Sequence, residues 1–293
     1  MNLVTQTDCI MNTINDDAAI RILAQAGFDA IDWSFHGMTD VDSCVWWHDD
    51  WKEYAQHLKD MAAECSITFR QAHAPFPTSK GEEPFDTVVM QRIRRSMEVA
   101  AFLGIQYIII HPRQHLPYAK NKQLLWEENL ELYRSLIPLC EELNIHVCTE
   151  NMWQYDNNRQ VIVDSVCAPP EEFCGLLDAI DSPWIVGCLD IGHCALTGHD
   201  PADFIRAMGP KRLKALHVHD VDYRSDKHNM PFMEKLDWES VCAALGEIGY
   251  EGDFTFEADN FLYKFPNELK ADAAALMAKT GRYLISRVEA HRK

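Results

Sequence analysis

Eight short apolar runs, each followed by a stretch of helical periodicity, recur along the 293 residues at nearly even spacing. No linker, low-complexity tract or break in composition interrupts them. Such alternation makes a parallel sheet, because parallel neighbours need a crossover long enough to carry the chain back. The pattern predicts strands over 2–6, 30–35, 67–73, 106–111, 145–150, 184–190, 213–218 and 253–257. Helices are expected over 16–26, 49–65, 84–103 and 121–143, from Pro169-Pro170 onward, and over 201–208, 237–248 and 267–286. Gly27 and Gly104 end two of these where a glycine stop belongs, and Pro138 is expected to kink the fourth. Residues 151–168 read as an insertion-like loop. Eight units in a chain of this length point to an α/β fold, a single (β/α)8 TIM barrel forming one domain over 1–293. An open doubly wound sheet is disfavoured, since it would carry a glycine-rich first turn and residues 5–15 contain no glycine.

Composition narrows the setting. A hydrophobic fraction of 47% suits a large core, and no apolar run is long enough to span a bilayer. The amino-terminal stretch lacks the basic start and apolar segment of a secretory signal. Ten cysteines form no Cys-x-x-Cys pair and many sit inside apolar runs, a pattern of reduced thiols that predicts a cytoplasmic protein. The formal charge of −18 disfavours a nucleic-acid partner.

The predicted strands end alike. Six of the eight close on a residue able to bind a metal: His73, His111, Glu150, Asp190, His217 and Glu257. In a barrel all these ends converge on one face, where active sites are built. The loops just beyond add His193, Asp226 and His228. Glu150, Asp190, His217 and Glu257 would supply three carboxylates and one imidazole, an oxygen-rich set suited to Mn²⁺, Mg²⁺ or Co²⁺, or to Zn²⁺. His73, His111, His193, Asp226 and His228 are candidates for substrate contact or for a second ion. His219 alternates with Val218 and so is allowed His217's side of the strand, but it is not expected to be a ligand, since one from that strand suffices. Trp33, Trp46, Trp47 and Trp153 are read either as an aromatic wall for a sugar or as core.

Taken together these residues resemble the xylose isomerase-like barrels. The resemblance is carried by His-Ala-Pro at 73–75, His-Pro at 111–112, Glu-Asn at 150–151, Leu-Asp-Ile-Gly-His at 189–193, His-Val-His-Asp at 217–220 and Asp-Lys-His at 226–228, and by the segment from Leu236 to Asp259. It implies one catalytic divalent metal on Glu150, Asp190, His217 and Glu257. It further implies that Glu150 and Glu257 exchange a proton with a sugar, as in an isomerase or epimerase working through a cis-enediolate. The same superfamily holds metal-dependent dehydratases acting on keto-sugars or inososes. It also holds the endonuclease IV group, whose full ligand set the nine residues resemble; against that activity stand the acidic charge and the loop sequences after Asn151 and His217. No phosphate-binding glycine loop is evident, so a free sugar or cyclitol is favoured. The expected partner is therefore a small sugar or polyol, with neither nucleic acid nor membrane, in a chain that can act alone or as a homo-oligomer.

Overall fold

A strand of an all-parallel sheet is covered on both faces and has no exposed side. β1 (Leu3–Gln6), β2 (Ala30–Ser34) and β8 (Ile185–Asp190) meet that requirement at every residue. The computed structural model describes residues 1–38 and 44–292. Part of the Trp- and Asp-rich loop after β2 lies outside the described residues. β3 (Thr68–His73), β4 (Tyr107–Ile109), β5 (His146–Glu150), β9 (Leu213–His217) and β10 (Phe254–Phe256) complete an eight-stranded sheet in the order β10-β1-β2-β3-β4-β5-β8-β9. All seven pairings are parallel. The ring closes through a parallel bridge between Val218 and Phe256. Val218 N–H donates to the Thr255 carbonyl at 2.9 Å, and Glu257 N–H to the Val218 carbonyl at 3.1 Å. The fold is the expected (β/α)8 barrel.

Helices α2 (Asp16–Ala26), α3 (Trp51–Glu64), α4 (Phe85–Leu103), α5 (Tyr118–Leu143), α6 (Pro170–Ile180), α8 (Pro201–Arg212), α9 (Trp238–Glu247) and α11 (Lys270–Ala290) are the crossovers and the final cover. Their apolar stripes pack on one face of the strands in a single large core. Alternate strand residues Ile109, Cys148, Val186, Cys188 and Ala215 form a separate small cluster, which alternation assigns to the barrel interior. Three short helices, α1 (Asp8–Thr13), α7 (Ile191–Leu196) and α10 (Asp259–Tyr263), follow β1, β8 and β10 at the mouth and lay outside the sequence pattern.

Two expectations need correcting. Residues 151–168 are not merely a loop: β6 (Trp153–Asp156) and β7 (Val161–Asp164) pair there as an antiparallel hairpin. In α5 the departure from helical geometry falls at Asn121 (φ −129°, ψ 23°) and not at Pro138. Pro138 faces solvent, so the carbonyl deprived of its donor can turn to water.

Candidate active site at the barrel mouth

Each strand delivers its last residue to the same end. Glu150, Asp190 and His217 are the final residues of β5, β8 and β9, and Glu257 directly follows β10. All four are buried. Ligand atoms from these four lie within 4.8 Å of one another. His217 Nδ1 stands 3.2 Å from Glu150 Oε2 and 3.0 Å from Glu257 Oε2. Yet Glu150 Oε2, Glu257 Oε2 and both His217 ring nitrogens make no aligned hydrogen bond. Buried polar atoms are normally satisfied, and a set left converging on one point is the arrangement a cation completes.

The surrounding residues hold this set still. Asn151 binds Asp190 reciprocally, its Nδ2 donating to the Asp190 carbonyl at 2.9 Å and its Oδ1 accepting from Asp190 N–H at 2.8 Å. Asp190 also caps α7, accepting from His193 N–H at 2.6 Å. Gln6 donates to Glu257 Oε1 at 2.8 Å, and Asp32 lies behind His217 with Oδ2 3.7 Å from Nε2. A carboxylate behind a ligating imidazole is the usual outer partner in metal sites.

Charge in the cluster is strongly coupled. Burial pushes the Glu150 carboxyl up, but His111 and His217 beside it win and hold it well below the usual range. Glu257 is likewise held low against burial by His217 and His228. On His217 burial opposes protonation, and Cys188, Glu257 and Glu150 together more than offset it. Against the same burial, Glu257 and the hydrogen bond to Asp226 push His228 up to about 10. The carboxylates thus draw positive charge into the site, which is charge a divalent ion also supplies. The donor set therefore fits such an ion.

Two further groups adjoin the first. His73, His111 and Glu150 offer three atoms within 4.8 Å of one another, and His193, His219, Asp226 and His228 offer four. Asp226 Oδ2 lies 3.2 Å from His193 Nε2 and 3.1 Å from His228 Nε2, and accepts from the Trp153 indole at 3.1 Å. All nine residues expected at the mouth are therefore brought together.

His219 stands on His217's side of the strand, at the site. It is fully buried, 3.0 Å from Asp190 Oδ1, and stacked on His228 with centroids 4.2 Å apart. A Cβ at residue 192 would come within 2.1 Å of its ring, so Gly192 leaves the space it occupies. The signal was the His217–His219 spacing of two, which keeps one face while the strand stays extended.

The mouth encloses a cavity of about 490 Å³. Phe76, Met152, Trp153 and Tyr155 line it together with the imidazole and carboxylate groups, Phe76 edge-on to His111 with ring centroids 4.6 Å apart; no Lys or Arg is among the described lining residues. Trp153 is thus at the wall. Trp33 and Trp46 are core residues packed edge to face at 6.4 Å.

A closed parallel barrel with carboxylates and imidazoles gathered at the carboxyl ends of its strands defines a (β/α)8 protein with a metal-competent mouth. A family model described as xylose isomerase-like TIM barrel matches residues 20–280, and the chain belongs to that family. It is 22% identical over 183 residues to fructoselysine 3-epimerase of Escherichia coli O157:H7, covering 62% of this chain and 63% of the relative. The chain spans between 52% and 64% of the length of the curated relatives it matches. Among solved structures, a D-tagatose 3-epimerase-like protein superposes with a TM-score of 0.77 at 18% identity, covering 99% of both chains. The IolI protein with a binding zinc atom gives 0.73 at 15% identity, again covering 99% of both. These structural likenesses concern the fold. No helix among the described residues is long and apolar enough to cross a membrane.

Proposed function

We propose that this protein is a divalent-metal-dependent sugar isomerase or epimerase. The observation that carries the reading is the buried quartet Glu150, Asp190, His217 and Glu257, with its unsatisfied ligand atoms turned inward beside an open cavity. Fructoselysine 3-epimerase among the relatives supports the same class. The quartet would hold one ion, Mn²⁺, Mg²⁺, Co²⁺ or Zn²⁺. When bound, the ion supplies Lewis-acid polarisation of a carbonyl and its neighbouring hydroxyl.

The chain's own residues do the rest. Glu150 and Glu257 come from β5 and from beyond β10, on separate sectors of the ring. One carboxylate takes the proton from the carbon beside the carbonyl, giving the cis-enediolate of the substrate. The other returns a proton, so a two-base exchange can invert that carbon. Gln6 fixes the Glu257 carboxylate through Oε1 and leaves Oε2 beside His217 Nδ1, 3.0 Å away. Phe76, Met152, Trp153 and Tyr155 offer aromatic and apolar surface to a sugar ring and exclude water. The absence of Lys and Arg from the described lining residues favours an uncharged sugar or cyclitol over a phosphorylated one.

Proton exchange in D₂O on ketoses, aldoses and inososes, followed by NMR with Mn²⁺ present, tests the reading. Deuterium entering one carbon of one substrate is the expected result. Dehydration of an inosose without such exchange into recovered substrate would shift the assignment to a lyase. A second reading, cleavage of phosphodiesters, is favoured only by the three adjoining ligand groups. Nicking of an abasic-site duplex, with no sugar in the panel exchanged, would replace the first reading by that one.

A further inference from the structure

The side chains at the mouth divide into those free to take a hydrogen bond and those already committed. We propose that the sugar taken by this site carries an aromatic or similarly apolar substituent away from its carbonyl, and that Phe76 and Tyr155 select for it. The inference rests on the metal-dependent sugar reading above and deepens it.

Away from the ligand groups, the polar side chains lining the cavity are largely committed within the protein. Gln154 donates through Nε2 to the carbonyls of Gln114 and Leu116 at 2.9 and 2.7 Å, and its Oε1 accepts from Tyr118 N–H at 2.9 Å. Gln114 Oε1 accepts from the Ser165 hydroxyl at 2.9 Å. Ser79 donates to Asp86 at 2.7 Å and accepts from Gly81 N–H at 2.9 Å. The Trp153 indole gives its one proton to Asp226, and the Tyr155 hydroxyl donates to Gln160 at 3.2 Å. A second sugar ring laid across these residues would strip water from its hydroxyls and gain few partners in return.

What the same region leaves open is apolar. Phe76 and Tyr155 are 43% and 46% exposed, and both line the cavity with Met152 and Trp153. Single apolar residues on a surface need no explanation, but four around one cavity form a patch that a ligand can cover. The volume of about 490 Å³ falls in the range that encloses a drug-sized ligand. Phe76 stands edge-on to His111, so the apolar surface directly adjoins the ligand groups. Trp153 and Tyr155 alternate along β6 and share a face. The Gln154 bonds fasten their hairpin to the stretch from Gln114 to Tyr118, so this surface is in place before a ligand arrives.

The test extends the D₂O exchange assay with Mn²⁺ to ketohexoses, their O1 and O6 benzyl ethers, and ketohexoses bearing a glucosyl group at the same positions. One benzyl ether is expected to exceed its parent in kcat/KM by about 10-fold or more, chiefly through a lower KM, and the glucosyl compound to gain nothing. Phe76→Ala and Tyr155→Ser should each reduce the benzyl-to-parent ratio by about 2- to 10-fold, whereas Tyr155→Phe should keep it. A general loosening of the mouth would slow both substrates alike and leave the ratio where it was. Saturation-transfer NMR on the wild type gives a second reading without a variant, with the strongest signals expected on the benzyl protons. A parent that outruns both ethers, a glucosyl compound that matches the benzyl one, or a ratio unmoved in both ring-deleting variants overturns the proposal. Exchange in none of the sugars, parent or derivative, would remove the isomerase reading itself and this proposal with it.

Discussion

At the scale of single residues, the two glutamates can be separated from the fold that carries them. Glu150→Gln and Glu257→Gln keep shape and volume while removing the base. Turnover is expected to fall by at least about 10²-fold in either, with the far-ultraviolet spectrum unchanged. Near wild-type rates in one variant would leave that residue as a ligand or a bystander. Gly192→Ala tests the neighbouring group, because its Cβ would collide with His219, which touches Asp190. Displacement of that ring should cost about 1–3 kcal/mol, read as a lower urea midpoint. An unchanged midpoint would mean that the ring moves aside freely. Most mouth residues were legible in the sequence because ligand types stood at the ends of independently recognisable strands. The spacing of His219 from His217 already allowed both on one face, as the structure has them.

At the scale of elements, the segment between β9 and α9 depends on one side chain. Asp220 accepts from the backbone N–H groups of Val221, Glu234, Lys235 and Leu236 at 3.0–3.1 Å, and from the Trp238 indole at 3.2 Å. That hub ties down the loop bearing Asp226 and His228. Asp220→Ala leaves several buried donors unpaired and should cost about 3 kcal/mol or more, with faster amide exchange across 221–237. Exchange confined to the first residues after Asp220 would show that the loop holds itself. The alternation of strands and helices was readable here, but the β6–β7 hairpin was not. Its strands are four residues each and half-exposed, so apolar periodicity is nearly silent. The turn did announce itself through Asp156, whose Oδ1 accepts from the N–H groups of Asn158 and Arg159 at 2.9 and 3.1 Å. Pro138 misled in the opposite direction, because propensity says nothing about which side of a helix meets water.

At the scale of the whole molecule, the barrel was legible from eight repeats, whereas its closure depends on register that no single strand encodes. A cation that binds the folded chain alone should raise its stability by about 2.7 kcal/mol at a concentration a hundredfold above its dissociation constant. In a protein of this size that amounts to a rise in Tm of about 4 °C on adding Mn²⁺ to chelator-stripped protein. Identical melting with and without ion would argue that the quartet holds none. The Val218–Phe256 bridge gives that measurement a mechanical meaning. Its two residues stand next to His217 and Glu257, so the stitch that shuts the ring and the grip on the ion share one seam. An ion held by those two side chains would act as a rivet through the join. Stripped of it, β10 should peel from β9 before any other pair of staves parts. The deuterium taken up there would report the ion's departure even in a variant with no chemistry left to assay.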